Sequence, residues 1–574
     1  MPREHPQASH QERIQFSVNF VAAAFLFLVT AAFVLWQNRQ VAILWDLGYL
    51  LDTSWRISLG QLPYRDFPLV HPPLTFLVQA GLIHLFGRHS FVQQLYAAII
   101  GGLAALLTWR LLLTILQPRP WARLSAFLLA LPLVFLGIYG IYPHPIYDCD
   151  CAFAILLALW MWMRSQRPGS GILQHCLTGA SLILPIFFKQ NIGLPFALVA
   201  AVGLASVWLT QSLHARRLNP PENRPILTIL AAMASTALAA LLLLQATVGL
   251  QNYLRWTVHF AASRRLPGFA EMLSVYQQPA LLWMLPCFLV AIFLLAKFPS
   301  KPWASVVAAA LFSAPFVETL IFLLLNDDFD DRADSILALW PLILIAAAVV
   351  AILALRKGLT LARIFPFLIL AAIHGTFLSQ QLWGSTYSIW PLLILLIASL
   401  LATLPAPPWA RPTLSAVISV SLLIAGGLYA VSHERLNYTD LNDGPVNQAN
   451  LPALQGLSAR GPYLANFEQL VLFAARDIPP QDPILLLPGE DPFYFATGRT
   501  PQFPVVIFDN TTDPYSPEQL LTEARTRHVR WIIWKTQMQS AAQPLPDPDR
   551  TLALIRQEFV LDQKLPGYDI YRRR

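Results

Sequence analysis

In this 574-residue chain the side chains able to do acid–base or anion-binding chemistry are few, and they collect in short polar segments between apolar runs. Asp46 follows the first apolar run, with Tyr64-Arg65-Asp66 and His71-Pro72-Pro73 soon after it. Tyr142-Pro-His144-Pro-Ile-Tyr147-Asp148-Cys-Asp150 fills a second connection, and Lys189 stands between two apolar runs. Arg255, His259, Arg264 and Arg265 form a fourth group, and Asp327 to Asp331 lead to Arg332 in a fifth. His374, Trp383 and Tyr387 form the last.

This set suits a reaction in which a carboxylate accepts a proton from an incoming hydroxyl while cations take up charge on a leaving phosphate. One carboxylate and a basic clamp are enough for that chemistry, whereas a glycoside hydrolase needs two carboxylates. Asp46 is the candidate base, the alternative being a cap on a Leu47–Leu59 helix. Asp150 is a second catalytic or acceptor-binding carboxylate, or the N-cap of the following helix; Asp148 could take either job. Lys189 is a phosphate ligand or an interfacial lysine reaching for water. Arg255, Arg264, Arg265 and Arg332 are further phosphate candidates. Tyr64, His71, Trp383 and Tyr387 are candidate substrate contacts. Arg65 and Asp66 read as a structural pair holding a turn. The histidines have no metal-ligand spacing, and the aspartates after Asn326 lack the spacing of a calcium loop.

The elements that must position these residues are membrane helices. Hydrophobic residues make up 56% of the chain and charged residues only 12%, against about 25% charged in a soluble domain. Mean hydropathy is +0.52. Thirteen stretches are apolar enough to be read as spans, given the roughly 20 residues a crossing helix needs: 16–36, 90–116, 122–141, 151–166, 172–188, 191–211, 226–248, 279–297, 303–325, 334–355, 364–381, 386–404 and 412–430. Within the spans Glu318 is the main ionisable exception and predicts a helix or cavity partner. The connection 37–89 is too long for a turn, and its stretches Leu50–Leu59 and Leu74–Phe86 predict helices lying in the interface, apolar face down.

Lys and Arg accumulate on the side that holds the N-terminus, which orients that end to the cytoplasm. The polar groups above then fall outside, as does the segment 432–574. That segment holds 17 acids and 14 bases, so the net +7 of the chain belongs to the membrane part. It records topology rather than a nucleic-acid footprint. Residues 432–574 read as an α/β domain with strands at Pro483–Leu487, Pro504–Phe508 and Val529–Trp534 and near Phe559–Leu561 and Tyr568–Tyr571. Helices are expected from Leu464 to Ile478 and after the Ser516 N-cap. The resulting plan is a cytoplasmic tail 1–15, a transmembrane catalytic domain 16–431 and an extracytoplasmic α/β domain 432–574.

Asp46, then Gly60 with Pro63-Tyr64-Arg65-Asp66-Phe67, then Pro72-Pro73-Leu74 and a helix ending at Phe86-Gly87, resembles the first loop of GT-C glycosyltransferases. The branch is that of bacterial protein O-mannosyltransferases and the lipid A aminoarabinose transferase. Asp150 resembles the second acidic position of that family. Phe187-Phe188-Lys189-Gln190-Asn191 resembles its lysine hairpin, and Arg332 before Leu339-Trp340-Pro341 resembles the start of a late span. The resemblance implies an integral enzyme of a bacterial inner membrane. It would move a sugar, with inversion, from a polyprenyl-phosphate donor to a glycolipid, protein or polymer acceptor. Leu47 stands where many relatives carry a second acid, so paired acids do not indicate a divalent metal here.

Overall fold

The computed structural model describes residues 10–574 except 119–120, 218–220, 266–272, 327–334, 379–387, 405–406, 437, 442–443, 510 and 541–544. A helix occupies each of the thirteen apolar stretches. Among the described residues seven helices are long and apolar enough to cross a bilayer: Val18–Asn38, Ser90–Leu116, Gln190–Ala215, Arg224–Thr247, Pro302–Leu325, Ser335–Leu355 and Ala410–Val431.

We label the first nine helices α1 (His10–Asn38), α2 (Leu44–Ser58), α3 (Leu74–Phe86), α4 (Ser90–Leu116), α5 (Ala122–Ala130), α6 (Leu133–Leu136), α7 (Tyr147–Ser165), α8 (Ile172–Ile183) and α9 (Gln190–Ala215). The expected single helix over 122–141 is broken. Pro132, which has no N–H to give, stands between α5 and α6. Past α6 the chain turns so tightly that a Cβ on Gly140 would lie 2.0 Å from the Phe135 carbonyl oxygen. This turn delivers Tyr142 and Tyr147 to the end of the bundle where α1 finishes. α8 runs into a 3₁₀ turn over Leu184–Phe187, and the chain reverses at Lys189 before α9 begins.

Glu318 corrects its expectation. It lies on an exposed face of Pro302–Leu325, and among the described residues it has no ion pair.

The C-terminal part is built on a four-stranded sheet of β3 (Ile484–Leu487), β4 (Trp531–Lys535), β5 (Phe559–Leu565) and β6 (Tyr568–Arg573), in the order β3-β4-β6-β5. A two-stranded ribbon of β1 (Val446–Gln448) and β2 (Ser458–Arg460) precedes it. β3 and β4 are parallel, joined through a helix Pro517–Thr526 that Ser516 opens with a capping box; the remaining pairs are antiparallel. Alternation along β3 sends Leu485 and Leu487 to a core with Leu520, Leu521 and Ile555, and Ile484 and Leu486 to the opposite core with Phe467 and Leu470.

Pro504–Phe508 is not a strand. Its side chains are buried, but the Pro504 carbonyl accepts from Arg56 Nη1 and the Pro501 carbonyl from Gln61 Nε2. At Pro504 its backbone meets the first loop, and the Phe508 N–H donates to the Pro488 carbonyl just past β3.

The second of these cores does not stop at residue 432. Ala42, Leu44, Leu47, Leu51 and Ile83 pack into it with Phe467, Leu486, Trp531 and Ile570. α2 is therefore not a helix with one face in water, as the sequence predicts. Asp52, Thr53, Ser54 and Arg56 on its other side are buried as well. Asp52 accepts the backbone N–H groups of Tyr494 and Phe495 at 3.2 and 2.7 Å. Gly48 brings the two parts so close that a Cβ there would meet the Glu490 carbonyl oxygen at 2.7 Å. α3 keeps Leu77, Leu85 and Phe86 exposed and fits the interfacial expectation better.

Beneath this contact Lys535 Nζ lies 2.5 Å from Glu490 and 2.7 Å from Asp491, all three nearly fully buried. Glu490 also accepts from Gln539 and Ser540, and Gln539 bonds to the backbone of Ala42 and Leu44. Lys535→Met would leave two buried carboxylates without their cation. Breaking a buried pair from one side costs about 3–5 kcal/mol, so the melting temperature of the detergent-solubilised protein should drop by several degrees. Cleavage by added protease after residue 432 should rise with it. A variant that melts and resists protease like the parent would show that the cluster does not hold the two parts together.

Candidate functional site

Asp46 sits in the first turn of α2, whose N-cap is Ile43, and does not cap the helix. Its Oδ2 accepts the Tyr438 hydroxyl at 2.7 Å, and the Tyr142 hydroxyl also bonds to it. The residue is half-buried, and protein atoms surround its carboxyl. Burial pushes its pKa up to about 6; the two tyrosine hydroxyls oppose this, and the charges of Asp148 and Asp509 add to it. A carboxyl titrating near 6 can accept a proton near neutral pH.

Both tyrosines are held from outside the bundle core. Arg435, buried, donates to the Ile141 carbonyl at 3.2 Å and to the Ser432 carbonyl at 2.8 Å. It thereby ties the segment carrying Tyr438 to the turn carrying Tyr142. His144 accepts the Ile43 N–H at Nε2 (3.3 Å), which leaves its Nδ1–H to donate to Asn38 Oδ1 at 2.9 Å. That neutral tautomer agrees with a pKa lowered by burial to about 3. His144 thus fixes the chain just ahead of α2.

Asp148 and Lys189 form a second buried group. Lys189 Nζ is 3.0 Å from both Asp148 oxygens, and only 5% of the lysine surface is exposed. It does not reach out to solvent. The ammonium also lies 4.2 Å above the Tyr147 ring centre, and His71 stacks on that ring at 3.9 Å. His71 Nδ1 is 3.0 Å from the Tyr49 hydroxyl. Gln190, next to Lys189, donates to the Thr257 carbonyl at 3.0 Å, within a π-helical turn over Arg255–Phe260. Such turns leave backbone carbonyls available to side chains. Asp46 and Asp148 are in electrostatic range, so the carboxyl and the ion pair belong to one region.

Asp150 differs from Asp46. The Tyr139 and Tyr96 hydroxyls donate to its Oδ1 at 2.6 and 2.8 Å, and Thr75 donates to its Oδ2 at 2.7 Å. It is buried and neither caps α7 nor stands open to a substrate. It ties α3, α4 and α7 together. Tyr64 is buried too, donating to the His71 carbonyl and packing edge-on against Tyr253, so it braces the loop. Arg65 and Asp66 pair at 2.9 Å and hold the turn, as expected.

Arg255 and Arg264 are exposed, each against a neighbouring aromatic ring. Arg264 is in electrostatic range of Asp513 in the C-terminal part. The side chain of Arg265, and Arg332, Trp383, Tyr387 and the aspartates 327–331, lie outside the described residues. Among the described residues no three His, Cys, Asp or Glu side chains converge to hold a metal ion.

The sequence reading missed Tyr142, Tyr147 and Tyr438 as site residues. The first two lie within the short connection before α7; Tyr438 carries no local signal, since it meets Asp46 across 392 positions. Infrared titration of the Asp46 carboxyl, assigned by difference from Asp46→Asn, should give a midpoint near pH 6. Tyr438→Phe removes a donor to the charged form and should move that midpoint up by roughly one unit, since a hydrogen bond to a charged group contributes about 1.5 kcal/mol. A midpoint near 4, or one unmoved by Tyr438→Phe, would contradict this electrostatic picture.

No family model matches the chain, and no curated protein matches it by sequence. The fold has matches among solved structures. ArnT from Cupriavidus metallidurans bound to undecaprenyl phosphate is 12% identical, with 97% of each chain covered and a TM-score of 0.45. The oligosaccharyltransferase AglB from Archaeoglobus fulgidus, with an inhibitory peptide and a dolichol-phosphate, is 11% identical over 91% of this chain and 70% of that one, at 0.48. An apo form of the Archaeoglobus fulgidus oligosaccharyltransferase is 10% identical over 90% and 69%, at 0.49. These neighbours are GT-C superfamily members. These TM-scores are below 0.5, and the reading of this site rests on its own residues.

Proposed function

We propose that this chain is an inverting membrane glycosyltransferase. It takes a sugar from a polyprenyl-phosphate donor and gives it to an acceptor hydroxyl on a glycolipid, protein or polymer. All thirteen apolar stretches cross a bacterial inner membrane in this reading. Residues 1–15 are cytoplasmic, 16–431 form the catalytic membrane domain, and 432–574 lie outside. The observation that carries it is the Asp46 carboxyl, held by two tyrosine hydroxyls beside the buried Asp148–Lys189 pair.

Asp46 accepts the acceptor hydroxyl proton as the new oxygen–carbon bond forms at the anomeric centre. The bond from that carbon to the phosphate oxygen breaks on the opposite face, and the lipid phosphate leaves with its electron pair. Lys189, with the charge of Asp148 fixing its position, meets the developing negative charge on the phosphate. Arg255, Arg264, Arg265 and Arg332 extend the basic surface the donor approaches. His71 orients Tyr147 beneath Lys189, and Trp383 and Tyr387 contact the sugar. Asp150 acts through position rather than through proton transfer, since three hydroxyls occupy its carboxylate.

Asp46→Asn should lower sugar transfer in detergent, with a polyprenyl-phosphate sugar, by about 10²–10⁴-fold while the protein melts as the parent does. Retained activity would reject Asp46 as the base. Lys189→Ala with Asp148→Asn removes both buried charges together and avoids an orphaned carboxylate. The double variant should raise the KM for the donor more than that for the acceptor. An unchanged donor KM would reject the phosphate contact.

A further inference from the structure

At the end of the bundle remote from Asp46, α1, α4 and α7 enclose a cleft of about 900 Å³. Its lining changes character along the helices. Phe27 of α1, Leu103 and Leu106 of α4 and Phe153 of α7 form an apolar wall toward the middle of the bundle. Arg110, one turn further along α4, joins Arg164 and Arg167 at the other end of α7. No carboxylate lines the cleft, and among the described residues none of these three arginines is in an ion pair. All three are exposed, with Arg110 resting against Trp109 and Arg164 against Trp160. Topology alone asks for bases at this end of the bundle; it does not ask that three, from α4, α7 and the turn after α7, converge on one apolar cleft.

We propose that this cleft is a binding site for an anionic glycerophospholipid of the surrounding bilayer. The headgroup phosphate sits among Arg110, Arg164 and Arg167, where guanidinium forks match phosphate oxygens, and one acyl chain lies along Phe27, Leu103 and Leu106. The bound lipid lies between α1 and α7 along α4. The site stands apart from the transfer chemistry and does not depend on it.

The test is native mass spectrometry of the full chain released from detergent after incubation with phosphatidylglycerol, phosphatidylcholine or polyprenyl phosphate. Phosphatidylglycerol should be retained at about tenfold lower concentration than phosphatidylcholine, as expected when several arginines meet one anionic headgroup. The triple variant R110Q/R164Q/R167Q should lose that preference. Leu106→Trp, which fills the apolar wall and leaves the charges in place, should lower retention of both glycerophospholipids, and it decides the matter if the triple variant fails to fold. Equal retention of the two glycerophospholipids, a preference that survives the triple variant, loss of polyprenyl phosphate retention in the triple variant, or normal retention in Leu106→Trp would overturn the proposal.

Discussion

The hydrogen bond from Tyr438 to Asp46 joins residues 392 positions apart in the chain. A carboxylate surrounded by protein needs donors, because its hydration is lost. Here the donors come from the turn before α7 and from the segment after Ala410–Val431. The two donors meet on α2, at Asp46. α2 in turn is gripped from above by the backbone N–H groups of Tyr494 and Phe495, by the side chain of Gln539 and by the apolar core around Phe467 and Trp531. The C-terminal sheet and the carboxyl of Asp46 are thus parts of one mechanical unit, with α2 as the shared piece.

Two buried charge groups frame that unit. Lys189 with Asp148 lies on the bundle side, and Lys535 with Glu490 and Asp491 on the sheet side. Removing such charges from water costs several kcal/mol per ion before any pairing energy is counted. Their use here is directional. The first sets an ammonium over the Tyr147 ring; the second fixes Glu490, whose oxygens orient the chain at Gln539 and Ser540. Apolar replacements could fill the same space, but they would not set the direction of a neighbour.

Much of this was legible in the residues themselves. Apolar length located the long helices, Lys189 stood between two of the apolar runs where the chain reverses before α9, and short apolar runs located β3 and β4. Ser516 caps the helix it was expected to open. What could not be read was pairing across the chain. Asp46 and Asp150 look alike in sequence, each an aspartate near the start of a helix after a polar connection. Only their partners separate them: two hydroxyls for one, three for the other. Pro504–Phe508 has the composition of a buried strand and is largely buried, yet its first carbonyl, that of Pro504, is taken by Arg56 of the first loop. A local pattern reports that a segment is covered and is silent about what covers it.

The sharing of α2 also bears on how the chain is made. Asp52 is synthesised 442 residues before the Tyr494 N–H that it will accept. At roughly 5–20 residues per second of synthesis, α2 waits for tens of seconds with half of its final surroundings missing. Its row of Leu44, Leu47 and Leu51 packs into the core of the C-terminal part, so that apolar face stays uncovered by its final partner until the last quarter of the chain is made.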